Sequence, residues 1–223
     1  MTARLTGIDH REVLRYLGYG GHAVPADAEA DIARCAETVR RTARPRAVWR
    51  RFELLPDGTL AGTGFRPAGE DIRAHLSGCE AAVLMAATLG GEIDALLRRT
   101  QVTSMADAVL LDACASAATE NVCNNLCADL ERELAPLHLT DRFSPGYGDL
   151  PLSQQADLFR VLDVTRRIGV TLTDSGLMLP QKTVTAILGL SPAPAKKRAR
   201  ACDTCTLYAT CLYRKDGKTC GTI

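Results

Sequence analysis

A chain of 223 residues, 46% of them apolar, has enough material for one sizeable core and lies far from a disordered composition. Its 27 basic and 26 acidic residues leave a net charge of +1, and aromatics make up 4%, which argues against a surface built for nucleic acid or anionic membrane. Met1–His10 lacks the apolar stretch of a secretory signal and no apolar run approaches a membrane span, so the expectation is a cytoplasmic protein whose cysteines are thiols or metal ligands.

The first predicted element is an amphipathic helix over residues 9–19, where Val13, Leu14 and Leu17 share a face and Gly18 ends the run. A second helix is expected over 26–43, between Pro25 and Pro45. Val48 to Leu60 reads as strand, turn, strand about Pro56-Asp57-Gly58. A short helix from Glu70 to Leu76 follows. Ala81–Thr88 is a continuous apolar run suited to a buried strand, broken by Gly90-Gly91 before a helix that carries Ile93, Leu96 and Leu97.

The longest periodic segment covers 104–134. Leu111, Ala115, Ala118, Val122, Leu126, Leu130 and Leu134 recur at three- and four-residue steps and define a buried stripe. A polar row of Asp112, Ser116 and Glu120 runs along the same helix, either as a solvated face or as the wall of a cleft. Beyond it, Ser153 to Leu162 predicts a helix closed by Gly169. Thr171 to Leu190 predicts a hairpin broken at Pro180, with Val184, Ala186 and Leu188 alternating in its second limb. The mixture points to one α+β domain over 1–191, then a basic linker over 192–201 and a cysteine-rich tail over 202–223.

Between the long helix and Ser153 lies Asp141-Arg142-Phe143-Ser144-Pro145-Gly146-Tyr147-Gly148-Asp149-Leu150-Pro151, which suits neither helix nor regular strand. Pro145 and Pro151 fix φ, while Gly146 and Gly148 permit conformations closed to other residues. Such a loop can offer backbone groups to a ligand at close range. Arg142 adds a rigid fork of donors for a carboxylate, and Tyr147 a flat ring with a polar tip. Taken without context, an ordinary Pro-Gly turn beside a surface arginine explains the same residues.

The order of two motifs changes that weighing. Arg142 to Tyr147 fits an Arg-x-x-x-Gly-Tyr pattern, and Thr173-Asp174-Ser175-Gly176-Leu177-Met178-Leu179-Pro180 follows a Thr-Glu-Ser-x-x-Met-x-Pro pattern after a glycine. In that order and spacing, residues 104–190 resemble the activation domain of cobalamin-dependent methionine synthases. The earlier part, including Ala87-Thr88-Leu89-Gly90, looks like shorter stand-alone versions of the family. The resemblance implies a twisted antiparallel sheet with flanking helices. It implies S-adenosylmethionine bound in a shallow groove by Arg142, Pro145, Gly146 and Tyr147, with Ser116 and Glu120 at the positions of the family's acidic pair. It also implies a partner, a cobalamin-binding methyltransferase module that this chain reactivates by reductive methylation, with an electron donor protein. Ser116 stands where the family has a glutamate.

Cys202, Cys205, Cys211 and Cys220 cluster in the tail with spacings suited to a [4Fe–4S] cluster or, alternatively, tetrahedral Zn. Free thiols on a tail are the bland reading. A cluster would supply the electron that reactivation needs. The alternative is a protein of another class, a Cys-cluster electron-transfer or scaffold chain that has lost S-adenosylmethionine binding, and an independent S-adenosylmethionine-dependent or corrinoid-processing enzyme is a third reading. Cys35, Cys79, Cys114, Cys123 and Cys127 sit in apolar context and read as small buried hydrophobes. The four histidines show no ligand spacing, and Gly62-Thr63-Gly64 reads as a turn.

Overall fold

The computed structural model describes residues 3–19 and 24–194, together with Ala209. His22, most of the basic linker and all four tail cysteines lie outside the described residues. In chain order the elements are α1 (His10–Tyr16), α2 (Ala26–Thr42), β1 (Arg46–Glu53), α3 (Glu70–His75), β2 (Ala81–Thr88), α4 (Gly91–Thr103), α5 (Met105–Glu133), β3 (His138–Leu139), α6 (Gln155–Leu162), α7 (Val164–Ile168), β4 (Thr171–Leu172), β5 (Met178–Leu179) and β6 (Thr183–Ser191).

The strands β1, β2, β6 and β3 form one antiparallel sheet in that order. Every residue of β2 is buried, because helices cover both faces of the sheet. Ala81, Val83, Met85 and Ala87 face a core built on α1, α2, α4 and α5, while Ala82, Leu84 and Ala86 face a second core built on α3, α6 and α7. A strand with two apolar neighbours has no polar face to show, so its sequence runs continuously apolar. The expected α+β architecture of an antiparallel sheet with flanking helices is present.

Local chemistry sets the boundaries. Asp9 caps α1 by accepting from Arg11 N at 2.8 Å, and Ser104 caps α5 by accepting from Asp107 N at 3.2 Å. Ser104 is also extended, which separates α4 from α5. The helix expected over Ser153–Leu162 is present as α6, but the chain up to the expected stop at Gly169 forms a second helix, α7. Asp163 adopts the left-handed conformation (φ 54°) between α6 and α7, and a 3₁₀ turn over Leu152–Gln154 precedes α6.

Two expected strand pairings take another form. After β1 the chain makes the turn at Pro56-Asp57-Gly58, but only a single bridge joins Leu54 to Leu60. Thr63 then folds the chain back, donating to Leu60 O at 2.7 Å and accepting from Phe65 N at 2.9 Å, which carries Leu60 and Phe65 into the core. The hairpin expected over 171–190 shrinks to β4 and β5, two residues each. Pro180 has no N–H to continue the ladder, and Gln181 N is taken by Asp94 Oδ2 at 2.9 Å. β6 therefore leaves the hairpin and pairs with β2.

Cys35, Cys114 and Cys123 are fully buried, as their apolar context predicts. Burial pushes the Cys114 and Cys123 thiols up to about 12, from 9.0 for an unperturbed thiol. Both stay protonated near neutrality. Iodoacetamide at pH 8 is expected to spare both cysteines in folded protein and to label them after denaturation, as read by peptide mass spectrometry. The raised folded pKa also means that their contribution to stability is intact below pH 9 and declines as pH rises toward 12.

Among the described residues, no helix is long and apolar enough to cross a membrane, and no group of three or more His, Cys, Asp or Glu side chains is placed to hold a metal ion.

Candidate ligand-binding groove

β3 covers the free edge of β6 only at Ser191 and Leu190. Farther along that edge the next segment of chain runs as an irregular strand. Thr140 N donates to Gly189 O at 3.0 Å, and Phe143 and Ile187 exchange two backbone bonds at 2.9 and 2.8 Å. Ser144 Oγ donates to Thr185 O at 2.7 Å. This lacing fixes the Arg142–Pro151 loop against the sheet and leaves the start of β6 open.

Beside that opening lies a cavity of about 450 Å³. The loop contributes Arg142, Ser144, Pro145, Gly146 and Tyr147, α5 contributes Glu120, and the β4–β5 turn contributes Gly176 and Met178. Leu152, Gln155 and β6 residues Thr183 to Thr185 complete the wall. Two stretches far apart in sequence thus meet at one hollow.

Arg142 occupies the α5 side. Its Nη2 donates to Glu120 Oε2 at 2.8 Å and to Asn124 Oδ1 at 3.0 Å. Its Nη1 is buried and has no hydrogen-bond partner among the described residues. Burial works against the charge, but Cys123 and the Glu120 carboxylate outweigh it and hold the guanidinium above its ordinary value. Because Cys123 remains a neutral thiol, Glu120 is the operative partner near neutrality. An incoming carboxylate meets a fixed, permanently charged donor.

The loop is shaped by its own bonds. Gly146 N donates to Leu150 O at 2.9 Å and Tyr147 N to Ser144 O at 3.0 Å, with Gly146 at φ 92°. Tyr147 is left exposed at the mouth, and Pro145 is buried beneath it. Gly148 has φ 53° and lies so close to Asp71 that a side chain there would strike its carboxylate. The next residue uses that closeness. Asp149 accepts from Glu70 N at 2.6 Å and Asp71 N at 3.1 Å, capping α3, whose own preceding residue is Gly69. Asp149→Ala is expected to lower stability by about 1 kcal/mol in urea unfolding, the usual cost of a lost cap.

On the far wall Gln155 is buried. Its Nε2 donates to Thr185 Oγ1 at 2.8 Å and approaches Met178 Sδ at 3.1 Å. It ties α6, β6 and the hairpin together. Nothing in the sequence singled it out, since a glutamine opening a helix usually faces solvent.

The cavity unites five of the residues singled out from the sequence: Glu120, Arg142, Pro145, Gly146 and Tyr147. Ser116 does not line it. Its hydroxyl donates to Asp112 O at 3.0 Å and accepts from Lys182 Nζ at 2.9 Å, while Lys182 also pairs with Asp112 at 2.8 Å. The polar row on α5 is therefore divided: Glu120 faces the groove, and its neighbours anchor the start of β6. A separate hollow of about 340 Å³ lies between the 55–58 turn and α3, and it holds none of the motif residues.

Fold and groove together give an α+β module with an arginine-lined hollow at a sheet edge. Residues 89–197 match the family model described as the activation domain of vitamin B12 dependent methionine synthase. Its fold is similar to that in a crystal structure of the MetH reactivation domain bound to AdoHcy, with a TM-score of 0.58 and 18% identity, over 96% of this chain and 82% of that one. At that identity the likeness speaks for the fold. No curated protein matches the chain by sequence.

Proposed function

We propose that the groove binds S-adenosylmethionine and that the chain acts in trans to reactivate the cobalamin of a methionine synthase or related corrinoid methyltransferase. The observation that carries this reading is the cavity itself. A charged guanidinium stands on one wall, and the Pro145-Gly146-Tyr147 backbone and ring stand at the mouth. An amino acid joined to a flat nucleoside has matching ends, and a hollow of about 450 Å³ is in the range of small-molecule sites. The structurally similar reactivation domain was solved with AdoHcy, the demethylated form of the same ligand.

The partner enters through the rim. Tyr147 and Leu152, which line the cavity, are exposed, as are Leu177 and Leu179 in the β4–β5 hairpin, and exposed apolar side chains of this kind suit another protein surface. The reaction served consumes one electron and one methyl group per inactive cobalt(II) corrinoid. The methyl leaves the sulfonium for cobalt, the electron pair of the broken bond stays on sulfur, and S-adenosylhomocysteine remains. This chain's part is to hold the methyl donor and present it.

In this reading Cys202, Cys205, Cys211 and Cys220 would hold a [4Fe–4S] centre, which would supply one-electron chemistry for the reactivation. Anaerobically purified protein is expected to contain iron and sulfide with a broad visible absorption. Zinc without iron, or metal-free thiols, contradicts the cluster.

The reading as a whole is tested with methyl-labelled S-adenosylmethionine, a cob(II)alamin-loaded partner module and a reductant. Label is expected on the corrinoid only when this chain is present. Transfer at the same rate without it contradicts the function. Absence of S-adenosylmethionine binding combined with a redox-active cluster favours the electron-transfer protein instead.

A further inference from the structure

At the edge opposite the groove the sheet ends on β1. Successive residues of an antiparallel strand send their backbone groups to opposite neighbours. Leu54 N donates on the β2 side, to Glu80 O at 3.0 Å, while Glu53 O accepts from Ala61 N at 2.9 Å on the outer side. Odd-numbered residues of β1 therefore turn their N–H and C=O groups outward. The chain beyond the 55–58 turn starts an antiparallel strand there, at the Leu54–Leu60 bridge, and Thr63 then folds it away. Past that point the outward groups of Arg51, Trp49 and Ala47 meet no further strand among the described residues.

Side chains alternate across the same strand. Ala47 and Trp49 pack toward the core of α1, α2, α4 and α5, and Val48 and Phe52 toward that of α3, α6 and α7. Arg46 and Arg50 lie on the second side, where their guanidinium groups reach Ile168 O at 3.5 Å and Val161 O at 3.3 Å. Arg160 of α6 joins Arg50, Arg51 and Glu53 around a hollow of about 480 Å³ whose other wall is Ala61 to Thr63. Arg160 pairs with Asp157 at 3.2 Å, but Arg46, Arg50 and Arg51 have no carboxylate partner among the described residues. In the hollow, one acid stands against three arginines, two of them unpaired.

Backbone and charge together select the occupant. A row of outward N–H and C=O groups matches another polypeptide backbone, not a phosphodiester chain. The arginines require that segment to be acidic. A second copy of this chain brings the same arginines to the edge, and like charges across a strand pair repel. Residues 195–223 carry seven basic residues against two acidic, so the chain's own end has the wrong sign as well.

We propose that the outer edge of β1 is a docking site for an extended acidic segment of a partner protein, added as a further antiparallel strand in line with Ala61. Its acidic side chains lie at alternate positions, toward Arg46, Arg50 and Arg160, and small apolar ones lie between them, toward Trp49. In an antiparallel pair, residues bonded across the edge share a side of the sheet, so the apolar positions are the ones that donate to β1.

Fluorescence anisotropy of labelled eight-residue peptides with the full chain tests this. A peptide alternating valine and glutamate is expected to bind about tenfold or more tighter than one alternating valine and lysine. It should also bind about tenfold tighter than one alternating proline and glutamate, which keeps the charge and loses the donors. Arg46→Ser combined with Arg50→Ser is expected to weaken the glutamate peptide about fivefold or more, and the exposed Arg160→Ser about twofold to threefold. The groove lies at the other edge of the sheet, so S-adenosylmethionine affinity should not move in either variant, and either reading can fail alone. Equal binding of the valine and proline peptides overturns strand addition and needs no variant to fold. No binding of the glutamate peptide at about 1 mM, or unchanged binding in both variants, overturns the site. A dimer in sedimentation that excludes the peptide assigns the edge to a second copy and overturns it too.

Discussion

Arg142→Ala is expected to weaken S-adenosylmethionine binding by about tenfold to a hundredfold, the range for a lost charge-assisted hydrogen bond. The guanidinium is laced into place from both sides. Phe143 pairs with Ile187 on β6, and Nη2 bonds Glu120 and Asn124 on α5. It therefore meets the ligand already oriented, and its loss removes affinity that a mobile surface arginine would not supply. Stability should fall far less. Glu120 is about one-third exposed and can turn to water once its partner is gone, so the ion pair itself contributes little. Arg142→Lys restores the charge without the fork and is expected to recover only part of the affinity. Calorimetry beside urea unfolding separates the two effects. Equal affinity in wild type and Arg142→Ala would remove the arginine from the site.

The second large effect is on stability. Ile187→Ala should cost about 2–5 kcal/mol in urea unfolding, and Ile187→Val about 1 kcal/mol. Ile187 is fully buried in the core shared by β2, α6 and α7, and the Phe143 bridge occupies its backbone. The side chain supports the sheet, and the backbone positions the residue beside Arg142. Truncation leaves a cavity under the segment that carries the motif loop. Ligand binding in this variant is expected to weaken at temperatures well below its unfolding midpoint. A cost under 1 kcal/mol would show that the second core can collapse around the gap.

What could be read from the sequence, and what could not, follows physical lines. Ala81–Thr88 was legible because a strand buried on both faces needs apolar residues at every position. The α5 stripe was legible because helical periodicity persists over 29 residues. The 171–190 hairpin is not legible beyond β4 and β5 because strand pairing is a contest between partners, and the pull of β2 on β6 has no local signature. Within the groove, Arg142, Pro145, Gly146 and Tyr147 are contiguous and carry their own turn chemistry, so they stood out. Gln155 and Lys182 matter only through contacts with residues many positions away. Ser116 illustrates the same limit: its place on the polar row suggested the groove, but Lys182 at 2.9 Å draws it to the start of β6.

The most direct test of the central claim is an isothermal titration of the purified chain with S-adenosylmethionine. One saturable site per chain is expected, with affinity sharply reduced in Arg142→Ala. A flat titration at ligand concentrations up to millimolar, from protein shown to be folded, would contradict the account.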